Sequence, residues 1–175
     1  AALSYCLLLR NDELRHLTCK NICQTQAGLV FTIPSSKTDV FRKGKKLFLA
    51  NQDGDFSVVN LLKQYMLKGS LKLSDNSFLF GKISVQAESE IIDGRLPLPY
   101  GQCREILLSK IKATGCDTKA FGTHSFRSGD AATLATKVSP FELMLSGRWA
   151  DARSLRNYVE VSEERRFEIS KHLFL

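Results

Sequence analysis

Apolar residues follow two rhythms along this chain, and the changes between them mark its elements. Residues 2–9 are apolar and helical in pattern. Residues 12–18 continue as a second short helix with Leu14 and Leu17 on the inward face. The period then changes. Leu29-Val30-Phe31-Thr32-Ile33 reads as one strand and Leu47-Phe48-Leu49 as another, with Pro34 and Gly44 as turn punctuation between them. Helix returns after Asp55, where Val58, Leu61, Leu62, Tyr65 and Met66 recur at three- and four-residue spacing until Gly69. Residues 70–98 carry no clear period, apart from Phe78-Leu79-Phe80-Gly81 as a buried anchor. Pro97 and Pro99 precede a helix carrying Ile106, Leu107 and Ile111 and ended by Gly115. Thr123 can cap the next helix, through about residue 136. Ser139-Pro140-Phe141-Glu142 is a capping box with proline at the first helical position, and that helix ends at Gly147. Helical patterns resume over about 151–159 and 162–174. The pattern predicts an α+β fold, mostly helical, with a small antiparallel sheet near the N-terminus, as a single domain over 1–175.

At 175 residues the chain is long enough for one real core, and 43% hydrophobic with 25% charged residues is a globular balance. No apolar run reaches the roughly 18 residues that span a membrane. The opening run is short and lacks a basic flank, so it reads as a core helix and not a signal peptide. The sequence opens without Met, directly on that helix, which is expected of a domain cut from something longer.

Charge narrows the partner. A net +7 favours a polyanion, nucleic acid ahead of acidic lipid. Lys37, Arg42, Lys43, Lys45 and Lys46 crowd the segment between the two strands, against Asp39 alone. That segment is either a DNA-facing hairpin or a solvated one. The five cysteines, Cys6, Cys19, Cys23, Cys103 and Cys116, are an odd number in a chain of this size. A disulfide framework is not expected, and a reducing compartment, cytosol or nucleus, fits best. His16, Cys19 and Cys23 have loosely zinc-like spacing but lack a fourth ligand nearby.

Several residues carry possible chemistry. His124 and Arg127 are three apart in a first helical turn, where free N–H groups favour an anion. Arg127 can donate two parallel hydrogen bonds to a phosphate, and His124 can donate one or move a proton. Arg10 follows mainly apolar residues, as a helix exit into a cleft would, with Glu13 able to hold its neighbours in place. It is a second phosphate clamp or a solvated residue between helices. Lys37, in Ser36-Lys37-Thr38, can protonate a departing oxygen, with Lys43 as its rival. Trp149 either packs as core or offers its indole N–H to a phosphate. Tyr158 needs cations and a base nearby to act as a nucleophile, because a free phenol ionises near pH 10.

The series Arg10-x-x-Glu13-Leu14, Ser36-Lys37-Thr38, His124-x-x-Arg127, Gly147-Arg148-Trp149 and Tyr158 resembles the catalytic domain of the tyrosine recombinase (phage integrase) family. The resemblance covers nearly the whole chain, with Trp149 where many members have a second histidine. Gly122-Thr123-His124-Ser125-Phe126-Arg127 and Ser36–Gly44 look most like recombinases of eukaryotic mobile elements, the DIRS-type retrotransposons and Cryptons. Asp130-Ala131 departs from the usual small pair, and Ala150-Asp151-Ala152 from a more polar turn. The resemblance implies that Tyr158 attacks a scissile phosphate to leave a 3′-phosphotyrosyl link. Arg10 and Arg127 would neutralise the transition state, Lys37 would be the general acid, and His124 and Trp149 would donate hydrogen bonds. It implies DNA contact by Arg42, Lys43, Lys45, Lys46 and Arg148, with neither ATP nor metal required. It also implies an N-terminal DNA-clamping domain, absent from this sequence, and assembly on DNA as a homo-oligomer. The apolar C-terminal segment, with Phe167, Ile169, Leu173, Phe174 and Leu175, would dock on a neighbouring protomer or pack on its own core. A type IB topoisomerase, which shares the fold and nucleophile, usually has lysine where His124 stands. A noncatalytic DNA-binding module is the other alternative.

Overall fold

The structure is a computed structural model that describes residues 1–34, 44–54, 56–86, 89–155, 158, 167, 170 and 171. Helix α1 (Ala2–Cys6) and helix α2 (Asn11–Arg15) lead into a three-stranded antiparallel sheet. Its strands are β1 (Ile22–Gln24), β2 (Gly28–Ile33) and β3 (Lys45–Ala50), in the order β1-β2-β3. The register pairs Val30 with Phe48 and Ile33 with Lys45. That pairing sends Leu29, Phe31, Ile33, Leu47 and Leu49 to one face, where all are buried, as the two-residue period requires. Gly28 opens β2 because a Cβ there would collide with the Leu49 carbonyl oxygen.

Helix α3 (Val58–Lys68) is capped by Ser57, whose hydroxyl accepts from the Asn60 N–H at 3.2 Å. Val59, Leu62 and Met66 turn toward the sheet core. Gly69 closes the helix, yet the left-handed residue is Ser70, at φ 51°. Residues 70–98 are more regular than their pattern predicts. Strands β4 (Gly81–Gln86) and β5 (Ser89–Pro97) form a separate antiparallel hairpin. Its Val85 is 71% and its Ile91 42% exposed, so no buried face enforces an alternation in the sequence. Helix α4 (Tyr100–Ala113) is joined to this hairpin through the Gln102 side chain. Its amide donates to the Ile83 carbonyl at 2.7 Å and accepts from the Ile83 N–H at 2.9 Å.

Helices α5 (Ser125–Ala135) and α6 (Pro140–Gly147) follow, and Ala152–Leu155 forms a 3₁₀ turn at the start of the predicted 151–159 helix, whose residues 156, 157 and 159 lie outside the described ones. The Ser139–Glu142 capping box is present, with Pro140 at the first helical position. The α5 cap is His124, one residue later than Thr123. The predicted helix over 162–174 lies outside the described residues except at a few positions.

Two apolar clusters result. The larger joins α1, α2, the sheet and α3 around Phe31, Leu9, Leu17 and Leu79. The smaller holds Leu8, Ala131, Leu143 and Leu155, with Trp149 and Tyr158 at its margin. The first helix stops at Cys6, short of the predicted residue 9, because Leu8 is left-handed at φ 48°. This single turn sends Leu7 and Leu9 into the larger cluster and Leu8 into the smaller one. Leucine in that conformation is strained by about 1–2 kcal/mol, and both clusters hold it there.

Candidate active site

Arg10 is the N-cap of α2, with extended backbone at ψ 151°. Glu13, one turn on, reaches back to it twice. One carboxylate oxygen accepts the Arg10 backbone N–H at 2.9 Å, and the other accepts its guanidinium at 2.9 Å. Arg10, Glu13 and His124 line one cleft of about 490 Å³, together with Pro34, Tyr100 and Thr123. His124 is exposed there, and Arg10 is half-buried.

Arg127, in the first turn of α5, is buried. One terminal nitrogen donates to the Leu8 carbonyl and the other to the Gly147 carbonyl. The strained turn at Leu8 thus aims its oxygen at a guanidinium. The Trp149 ring lies 4.6 Å from the Arg127 guanidinium carbon, a cation–π contact strengthened by burial. Tyr158 lies on the same tryptophan, with ring centroids 5.4 Å apart. Gly147 makes this approach possible, because a Cβ there would overlap the Trp149 ring. Of the two roles open to Trp149, the observed contacts are those of its ring.

Arg148, which the resemblance assigns to DNA contact, is turned into the interior. It is 7% exposed, and its terminal nitrogens are turned to internal acceptors. One donates to Glu13 at 2.6 Å and to the Leu8 carbonyl at 3.0 Å. The other faces the Ser146 and Leu7 carbonyls at 3.2 and 3.4 Å. Glu13 is therefore the shared carboxylate of two arginines. Burial works to raise its pKa, but Arg148 and then Arg10 outweigh burial and hold it below the ordinary carboxylate range.

The local charge balance is positive. Arg10, Arg127 and Arg148 interact through space around one ionised carboxylate. Burial lowers the Arg127 pKa to about 10, and repulsion from Arg10 and Arg148 adds to the effect. Attraction to Glu13 and Tyr158 works the other way. An anion bound here would relieve that repulsion.

Asp130, one turn beyond Arg127, was not foreseen as part of the site. It is 5% exposed. Burial pushes its carboxyl up to about 6, with Arg127 opposing. One of its oxygens has no hydrogen-bond partner among the described residues. The signal was present in the sequence, as a carboxylate where the resemblance calls for a small residue. Lys37, Arg42 and Lys43 lie outside the described residues, while Lys45 and Lys46 are exposed at the start of β3.

The fold has counterparts among solved structures. The XerH site-specific recombinase bound to its difH substrate superposes with a TM-score of 0.69 at 15% identity, over 96% of this chain and 44% of that one. XerA recombinase gives 0.67 at 15% identity, over 97% and 54%. The chain has the tyrosine recombinase fold. The Tn1549 transposon integrase, solved with a circular intermediate DNA, gives 0.65 at 12% identity over 98% and 56%. The chain thus spans about half the length of these recombinases. No family profile and no curated protein sequence matches it. Within the recombinase fold, Arg10 and Glu13 come from the sheet-bearing part, and Arg127, Trp149 and Tyr158 from the helical part.

Proposed function

We propose that this chain is the catalytic domain of a DNA recombinase that cleaves and rejoins strands through Tyr158. The observation that supports this most is the set of three guanidiniums around one carboxylate, with the Tyr158 ring packed at a tilt against the tryptophan that covers Arg127. Such a site is complementary to the charge that develops on a pentacoordinate phosphate.

The Tyr158 oxygen attacks the scissile phosphorus and forms a P–O bond, and the bond from phosphorus to the 5′ oxygen breaks. The phenolic proton passes to His124 directly or through water. Lys37, or Lys43, delivers a proton to the departing 5′ oxygen. Arg10 neutralises phosphate oxygens from the cleft side, and Arg127, whose terminal nitrogens are held by the Leu8 and Gly147 carbonyls, adds its positive charge from the tryptophan side. Rejoining runs the same steps backwards with another strand's 5′ hydroxyl. Arg42, Lys43, Lys45 and Lys46 hold the duplex through its backbone, which makes binding strongly salt-dependent and weakly sequence-specific. In this reading the chain folds as one domain, acts with further copies on DNA, and serves a mobile element of the eukaryotic DIRS or Crypton kind.

The test is a nicked suicide substrate that traps the covalent intermediate. Wild-type protein is expected to give a protein–DNA adduct, and Tyr158→Phe is expected to give none while binding DNA equally. DNA binding without an adduct in wild type overturns the proposal. An adduct that survives in Tyr158→Phe assigns the nucleophile elsewhere.

A further inference from the structure

Arg148 occupies an unlikely conformation for its residue type. It caps α6 with φ 56° and ψ 41°, in the left-handed region where glycine is at ease and a residue with a Cβ is strained. The other non-glycine residue of this kind at the site is Leu8, at φ 48°. Arg148 donates to the Leu8 carbonyl, so the two strained turns hold each other. A plain helix cap needs none of this. A glycine would close the helix without strain and without burying a charge.

What the arginine adds is its grip on Glu13. The Glu13 side chain is 5% exposed and that of Arg148 4%, while that of Arg10 is 22%. Arg10 is thus the solvent-reaching member of the three, and among the described residues its guanidinium is tethered only to the Glu13 oxygen 2.9 Å away. The opposite oxygen of the same carboxylate is fixed at 2.6 Å by Arg148. Without Arg148 that oxygen keeps the Arg10 backbone N–H at 2.9 Å, a single bond about which the carboxylate can still rotate and carry the Arg10 guanidinium with it.

We propose that Arg148 is a positioning residue, which touches no DNA and fixes Glu13 so that the carboxylate presents Arg10 to the scissile phosphate. The proposal rests on the recombinase reading. It assigns the buried arginine of the Gly147-Arg148-Trp149 segment to the clamp on the far side of the cleft, in addition to the tryptophan beside it.

The decisive experiment is a double-mutant cycle on adduct formation with the suicide substrate. Arg148→Gly removes the grip and relieves the backbone, and it is expected to slow adduct formation by about a hundredfold with DNA affinity unchanged. Adding Arg10→Ala to Arg148→Gly is expected to slow it little further, because both changes remove one function. Arg148→Lys keeps the charge but not the planar fork. It is expected to behave likewise and runs the same cycle should the glycine variant not fold. Wild-type rates in both Arg148 variants would overturn the proposal. So would losses that multiply independently with that of Arg10→Ala. A second readout needs no catalysis. The Nη–H signal of Arg10, from the nitrogen that donates to Glu13, is expected in ¹⁵N NMR to be sharp in wild type and lost to solvent exchange in Arg148→Lys. Its persistence in that variant would overturn the positioning role even if wild type proves unable to cleave. Absence of a wild-type adduct alone would count against the recombinase reading, leaving this spectrum to decide on Arg148.

Discussion

Around the three-stranded sheet, sixteen apolar residues are buried against one another, whereas around α5 and α6 four are, among the described residues. The sheet side follows the ordinary route to stability, a closely packed apolar interior. The helical side buries two arginines and an aspartate next to its few leucines and alanines. Such groups stabilise only when their hydrogen bonds are met, and removing one partner leaves a costly buried charge. The difference separates two tasks. One half supplies the rigidity, and the other gives part of its interior to guanidiniums that order the Glu13 and Trp149 side chains.

Changes in the two halves are therefore expected to differ in kind. Phe31 is fully buried in the sheet core. Phe31→Ala is expected to cost about 3–5 kcal/mol and to lower the urea midpoint equally by far-UV circular dichroism and by tryptophan fluorescence. Trp149 is the only tryptophan, so fluorescence reports on the helical half. Leu143→Ala is expected to cost about 2–4 kcal/mol and to pull the fluorescence midpoint below the dichroism midpoint. Coincident midpoints in that variant would show the two halves to be one cooperative unit and end the distinction.

A smaller effect sharpens the contrast. Trp149→Phe keeps an aromatic face but shrinks the cover over Arg127. It is expected to cost about 1 kcal/mol in urea unfolding and to reduce the adduct rate by far more than that stability loss accounts for. A rate unchanged by the substitution would make the tryptophan a packing residue only.

The smallest expected effect depends on pH. Asp130 ionises at about 6 in the folded protein against an ordinary 3.8. The folded state therefore favours its protonated form. The stability this provides is complete below about pH 4 and is lost as pH rises through 6. Asp130→Asn is expected to gain on the order of 1 kcal/mol at pH 8 and little at pH 4, after allowance for solvent screening. Thermal unfolding at both values measures it. An equal shift at both would mean that the carboxyl does not titrate abnormally.

The sequence made β2 and β3 readable because their inward faces are buried and alternate strictly. It hid β4 and β5 because that hairpin exposes Val85 and Ile91, so burial leaves no period to read. Strand β1 is three residues long, too short for any period. The early end of α1 was hidden for a different reason. Leucine is a good helix former, and only tertiary contacts force Leu8 into a left-handed turn. At the site, Arg10 with Glu13 and His124 with Arg127 were legible because partners or roles lie within one helical turn. The burial of Arg148 was not legible, because its ion-pair partner lies 135 positions away. Nothing local distinguishes an arginine bound for the interior from one bound for a DNA backbone.

The carbonyl of Leu8 also sets an order of assembly. It waits for donors from residues 119 and 140 positions later in the chain. Contacts of that range are the slowest to form. During synthesis the sheet core, whose pairings end at Ala50, can close long before Arg127 and Arg148 have left the ribosome. Until they arrive, a growing chain has a folded scaffold but no assembled arginine cluster.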